Sequence, residues 1–127
     1  MSLRTPLGRV EGHGSAKEGV GHWIIERATG LALAPLSAWL LISLLALPDL
    51  RYATVTEWIA AGWNPVLLAL TLLLAVWHSW LGVQVVVEDY VHGFLTKTLT
   101  LLGSAAVHAL LAATGVYAVL HVALRSP

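Results

Sequence analysis

The chain has 127 residues, 57% of them hydrophobic and only 11% charged, with a mean hydropathy of +0.77. A water-soluble domain carries about a quarter charged residues, so this composition excludes an ordinary soluble fold and points to a surface that faces lipid. Seven basic and seven acidic residues cancel, which gives no basic footprint for nucleic acid. The absence of cysteine excludes disulfides, thiolate chemistry and iron–sulfur clusters held by the chain's own thiols.

The first 27 residues are polar and glycine-rich and lack the apolar core of a secretory leader. Three stretches without Asp, Glu, Lys or Arg follow: Ala28–Pro48, Trp58–Val87 and Thr98–Leu124. Roughly 20 helical residues cross a bilayer core of about 30 Å, and each stretch is long enough. Asn64-Pro65 marks the start of the second helix, because proline suits a first helical turn. The expected architecture is all-α and integral to the membrane, one unit with transmembrane helices near 23–47, 65–88 and 98–124. An arm of residues 1–22 precedes them. Pro35 falls inside the first helix and is a site for a kink, which membrane helices tolerate. Residues 48–63 and 89–97 read as loops.

Orientation follows the lysines and arginines. Arg4, Arg9, Lys17 and Arg27 precede or open the first span, Lys97 lies in the second loop, and Arg51 and Arg125 fall on the other side. Five of the seven basic residues thus share one side, which is expected to be cytoplasmic together with the N-terminus. Trp23, Trp58 and Trp63 sit near the expected span ends, where indole rings favour the interface.

Ionisable groups at membrane depth are costly and are the first candidates for function. His78 lies ten residues before Glu88, about 15 Å along the helix and near the bilayer midplane. Thr71, His78, Gly82 and Asp89 fall on one helical stripe, and Gly82 leaves a bare patch one turn from the imidazole where a flat cofactor fits. The alternative is a histidine bonded to a neighbouring helix, with Gly82 serving close packing. His108 is also near mid-depth, but Ala105, Ala112 and Gly115 share its face and suit helix packing. His121 lies near the far end. At the cytoplasmic end Glu88, Asp89 and Tyr90 place carboxylates beside a phenol, either as a membrane boundary or as a hydrogen-bonding pocket at headgroup level. Arg27, beside Glu26 and close to His22, either snorkels or pairs with an anionic ligand group.

The run His78-Ser79-Trp80-Leu81-Gly82-Val83-Gln84-Val85-Val86-Val87-Glu88-Asp89-Tyr90-Val91 resembles the second span of the hydrophobic membrane-anchor subunits of succinate dehydrogenase. Its pattern is a histidine, a glycine four later, and Asp-Tyr-Val eleven to thirteen later. Leu7-Gly8-Arg9 and Arg27-Ala28-Thr29 resemble the start of the small anchor of that enzyme. The resemblance implies that His78 is an axial ligand of haem b, that Gly82 packs the haem, and that Arg27 meets a haem propionate or lines the quinone pocket. It further implies that Tyr90 bonds a ubiquinone carbonyl with Asp89 supporting it. The implied partners are a cytochrome b anchor that supplies the other axial histidine, an iron–sulfur subunit, a flavoprotein and membrane lipid. The implied setting is a bacterial inner membrane and the oxidation of succinate in the tricarboxylic acid cycle. A fumarate reductase anchor, a structural or assembly protein whose histidines only pack helices, and a self-contained cytochrome using His78 and His108 are the alternatives.

Overall fold

The computed structural model describes Thr5, Leu7 and residues 19–125. Among these residues the only regular structure is helical: α1 (Gly19–Leu45), α2 (Tyr52–Ala60), α3 (Asn64–Tyr90) and α4 (Phe94–Arg125). The long helices α1, α3 and α4 are apolar enough to span a membrane. Arg4, Gly8, Arg9 and Lys17, which contribute to the charge asymmetry and to the resemblance, lie outside the described residues.

The helices outrun the charge-free stretches at the start of α1, the end of α3 and both ends of α4. α1 begins at Gly19, before His22, so the expected arm of 1–22 is already helical in its last residues. The chain continues as helix through Pro35, where the ring removes one backbone donor. α3 begins at Asn64 with Pro65 in its first turn, as the Asn-Pro pair predicts. It runs past Glu88 to Tyr90, and α4 starts at Phe94, so the second loop shrinks to residues 91–93. Lys97 secures this short turn, its amide bonding the Gly93 carbonyl at 2.8 Å and its Nζ donating to the Glu88 carbonyl at 2.9 Å.

The first loop is not a plain loop. It contains α2, a nine-residue helix. Asp49 accepts from the Arg51 amide at 3.1 Å and from the Thr54 hydroxyl at 2.5 Å, which organises the entry to α2. Gly62 at φ 53° turns the chain where side chains beyond Cα are strained. Asn64 Nδ2 then donates to the Trp58 carbonyl at 2.7 Å, tying α2 to α3, while Trp58 stacks on Trp39 of α1 at 6.0 Å between centroids.

α3 is the middle element. α1 packs on one part of it and α4 on another, whereas no Cα of α1 comes within 8 Å of one in α4. Both neighbours run antiparallel to α3. Thr29 meets His78, and Leu40 lies beside Leu68 and Thr71. On the other flank His108 meets Ser79 and Gly115 meets Leu72. A Cβ at Gly115 would overlap Leu72 Cδ2 and come within 3.1 Å of Cδ1, the close approach that small residues allow between membrane helices. Among the described residues only Thr29, Thr71, Leu81 and Val87 are buried. Three helices in one layer expose both faces, so lipid or other chains must cover them.

Candidate functional site

Two of the four buried residues are threonines, and one of them holds His78. Thr29, 4% exposed, places Oγ1 at 2.9 Å from the Ile25 carbonyl, 3.0 Å from the Glu26 carbonyl and 2.9 Å from His78 Nδ1. A hydroxyl has one proton, and a carbonyl can only accept. A helical threonine gives that proton to the backbone carbonyl of the preceding turn. The network therefore assigns the remaining bond as His78 Nδ1–H donating to Thr29 Oγ1. In that tautomer Nε2 carries the lone pair, the form in which imidazole binds a metal.

The backbone of α1 also lies against the ring. A Cβ on Gly30 would come 3.3 Å from His78 Cε1, so Gly30, not Gly82, makes the close approach to this imidazole. Gly82 has open space, with no atom within 4 Å of a built Cβ. His78 is half-buried and lines a cleft of about 490 Å³ with Glu26, Arg27, Gly30, Leu31 and Ala34, a volume typical of cofactor sites. Arg27 is exposed, with its guanidinium carbon 5.9 Å from the centre of the Trp23 ring. This cleft joins one imidazole to one guanidinium and one carboxyl group. The donor set fits a flat iron macrocycle with acidic side groups: Nε2 for the metal and the Arg27 fork for a carboxylate. Among the described residues His78 is the only imidazole in the lining.

His108 addresses a different neighbour. Its Nδ1 lies 2.7 Å from the Ser104 carbonyl, which makes Nδ1 the donor. Nε2 then accepts from Ser79 Oγ at 3.3 Å. Both ring nitrogens are engaged, Nδ1 within α4 and Nε2 across to α3, and the structure does not bring this ring to His78's cleft. His121 lies tilted against Tyr117, ring centres 5.6 Å apart, far along α4.

Tyr90 ends α3, twelve residues or about 18 Å beyond His78. It is 78% exposed, Asp89 is also exposed, and neither makes a hydrogen bond among the described residues. Antiparallel packing sets Thr29 level with His78, so Arg27 lies roughly 15 Å below Tyr90 along the helix axis. Arg27 accordingly shares the cleft of His78 rather than the neighbourhood of Tyr90. Sequence reasoning missed Thr29 and Gly30. Thr29 stands inside the Arg27-Ala28-Thr29 motif, but its contact with His78 depends on the register of α1 against α3.

The chain matches the family described as the succinate dehydrogenase/fumarate reductase transmembrane subunit over residues 1–121. It is 34% identical over 90 residues to the succinate dehydrogenase hydrophobic membrane anchor subunit of Rickettsia conorii, covering 70% of this chain and 71% of that one. The corresponding protein of Rickettsia bellii is 32% identical over 89 residues, again 70% and 71%. A succinate dehydrogenase membrane anchor subunit of Reclinomonas americana is 28% identical over 88 residues, covering 67% and 73%. No solved structure gives a significant match. A three-span helical chain with almost no core of its own, matched along nearly its whole length, belongs to the succinate dehydrogenase/fumarate reductase transmembrane subunit family.

Proposed function

We propose that this chain anchors a succinate:quinone oxidoreductase in the bacterial inner membrane, with its N-terminal side in the cytoplasm, and supplies half of a haem b site and part of a ubiquinone site. The observation that carries the proposal is Thr29 Oγ1 at 2.9 Å from His78 Nδ1; with the threonine proton given to the backbone, Nδ1 is the donor and Nε2 is left to bind iron. Arg27, in the same cleft, pairs with a propionate. Gly82, one turn from His78, leaves the flank of α3 open for the ring. Haem b, when bound, supplies a one-electron couple at mid-depth. A cytochrome b anchor gives the other axial histidine, and the flavoprotein and iron–sulfur subunits dock on the cytoplasmic side.

At the end of α3, Tyr90 donates its hydroxyl to a quinone carbonyl and Asp89 orients that donor. A hydrogen bond to an oxygen that gains negative charge on reduction strengthens along the reaction. The chain itself forms no bond with succinate, so its role in turnover is to hold and pass electrons. The direction of the reaction, succinate oxidation or fumarate reduction, is set by potentials and quinone type.

The test is purification of the chain in mild detergent, with mass spectrometry and an optical spectrum of what accompanies it. Flavoprotein, iron–sulfur subunit, a second anchor and a low-spin b-type spectrum are expected together. Recovery without flavin and haem overturns the proposal in favour of a structural or assembly protein.

A further inference from the structure

We infer that the Thr29 hydroxyl is a positioning group for His78, fixing which imidazole nitrogen faces the iron and setting how strongly that nitrogen donates. The inference rests on His78 being the haem ligand and adds a residue that reading does not require.

Thr29 differs from five other helical threonines. Thr56, Thr71, Thr98, Thr100 and Thr114 each bond a carbonyl four residues back, and their hydroxyls meet no side chain. That bond alone satisfies the threonine proton. Thr29 makes the same bond and then accepts from a ring nitrogen of another helix. It does so at 4% exposure, in a chain that buries only four described residues. Gly30 completes the hold, because a methyl there would stand 3.3 Å from Cε1. The imidazole thus has a hydroxyl on Nδ1 and bare backbone at its edge.

Metal-bound histidines commonly give their second N–H to an acceptor, which fixes the tautomer and raises ligand basicity. Here the acceptor is neutral, and its own proton is drawn towards two carbonyls. Removing it leaves Nδ1–H without its partner, weakens donation from Nε2 and favours ferrous over ferric iron.

The experiment is a redox titration and low-temperature electron paramagnetic resonance of the purified complex carrying Thr29→Val or Thr29→Ser. Valine keeps the β-branched shape and loses the hydroxyl; serine keeps the hydroxyl. Thr29→Val should shift the ferric/ferrous equilibrium about tenfold towards ferrous, about 59 mV upward for one electron, with altered g values. Thr29→Ser should match the parent. If the valine variant does not assemble, Thr29→Ala removes the same hydroxyl and carries the same expectation. Equal potentials in parent and hydroxyl-free variants overturn the inference, as does an equal shift in Thr29→Ser. His78→Ala separates the two readings: if it keeps the low-spin signal, the ligand assignment fails; if it loses the signal while Thr29→Val is unchanged, only the role of Thr29 fails.

Discussion

Replacing Tyr90 by phenylalanine removes one hydroxyl and keeps the ring at the end of α3. Packing has little to lose, since the residue is 78% exposed and its hydroxyl has no partner among the described residues. The cleft at His78 has little to lose either, because His78 lies about 18 Å away along the same helix. The effect should therefore fall on quinone chemistry alone. A donor to a developing oxyanion at a sequestered site is worth about 10²–10³-fold in rate. A headgroup-level site open to water recovers part of that through a substituting water. The expected loss is about 10–100-fold, or about 1.4–2.7 kcal/mol. The assay is a ratio, quinone-reductase over dye-reductase activity with succinate, in variant and parent. Dye reduction should persist, since flavin and clusters lie in other subunits, and the b-type spectrum should be unchanged. An unaltered ratio in an intact complex would refute the hydrogen bond and leave Tyr90 an interfacial anchor.

Gly115→Ala should destabilise the α3–α4 pair by about 1–3 kcal/mol through overlap with Leu72, and Leu72→Ala should recover much of that loss in a double-mutant cycle read by thermal unfolding in detergent. Topology reporters after Gly93 should report cytoplasm and reporters after Val55 the outside; a cytoplasmic signal at Val55 sinks the three-span orientation. The Thr54 hydroxyl, then the Arg51 amide, hold the Asp49 carboxyl below its ordinary pKa, so their support for α2 is present above the unfolded value of about 4 and fades as pH falls through the lower folded value. Protection of the Val55 amide, bonded to the Arg51 carbonyl, should fall at acid pH once the intrinsic exchange rate is divided out, and Asp49→Ala should show the low protection throughout.

The three spans were legible because an apolar run long enough to cross lipid is hard to reconcile with any surface that faces water. Their ends were not, because loss of charge marks the edge of hydrocarbon, while hydrogen bonding marks the end of a helix. Glu26, Asp89 and Lys97 are helical yet charged. α2 escaped notice because Tyr52–Ala60 is short, threonine-bearing and held by contacts outside itself, Asn64 to Trp58 and Trp58 to Trp39. His78 stood out as a midplane imidazole, but its tautomer depends on Thr29, 49 residues away. Helical phase puts Gly82 one turn from His78 on the same helix; the register of α1 adds Gly30 against the ring. The same register separates Arg27 from Tyr90, two residues that sequence alone put on one side of the membrane.

The most direct measurement is the reduced-minus-oxidised optical spectrum of the complex with either midplane histidine replaced. His78→Ala should abolish or convert the low-spin b-type signal while the chain still inserts, because it removes an axial ligand. His108→Ala should leave the signal nearly intact, because its ring nitrogens are engaged by Ser104 and Ser79. A spectrum unchanged in His78→Ala and lost in His108→Ala would put the haem on the wrong side of α3 and contradict the assignment.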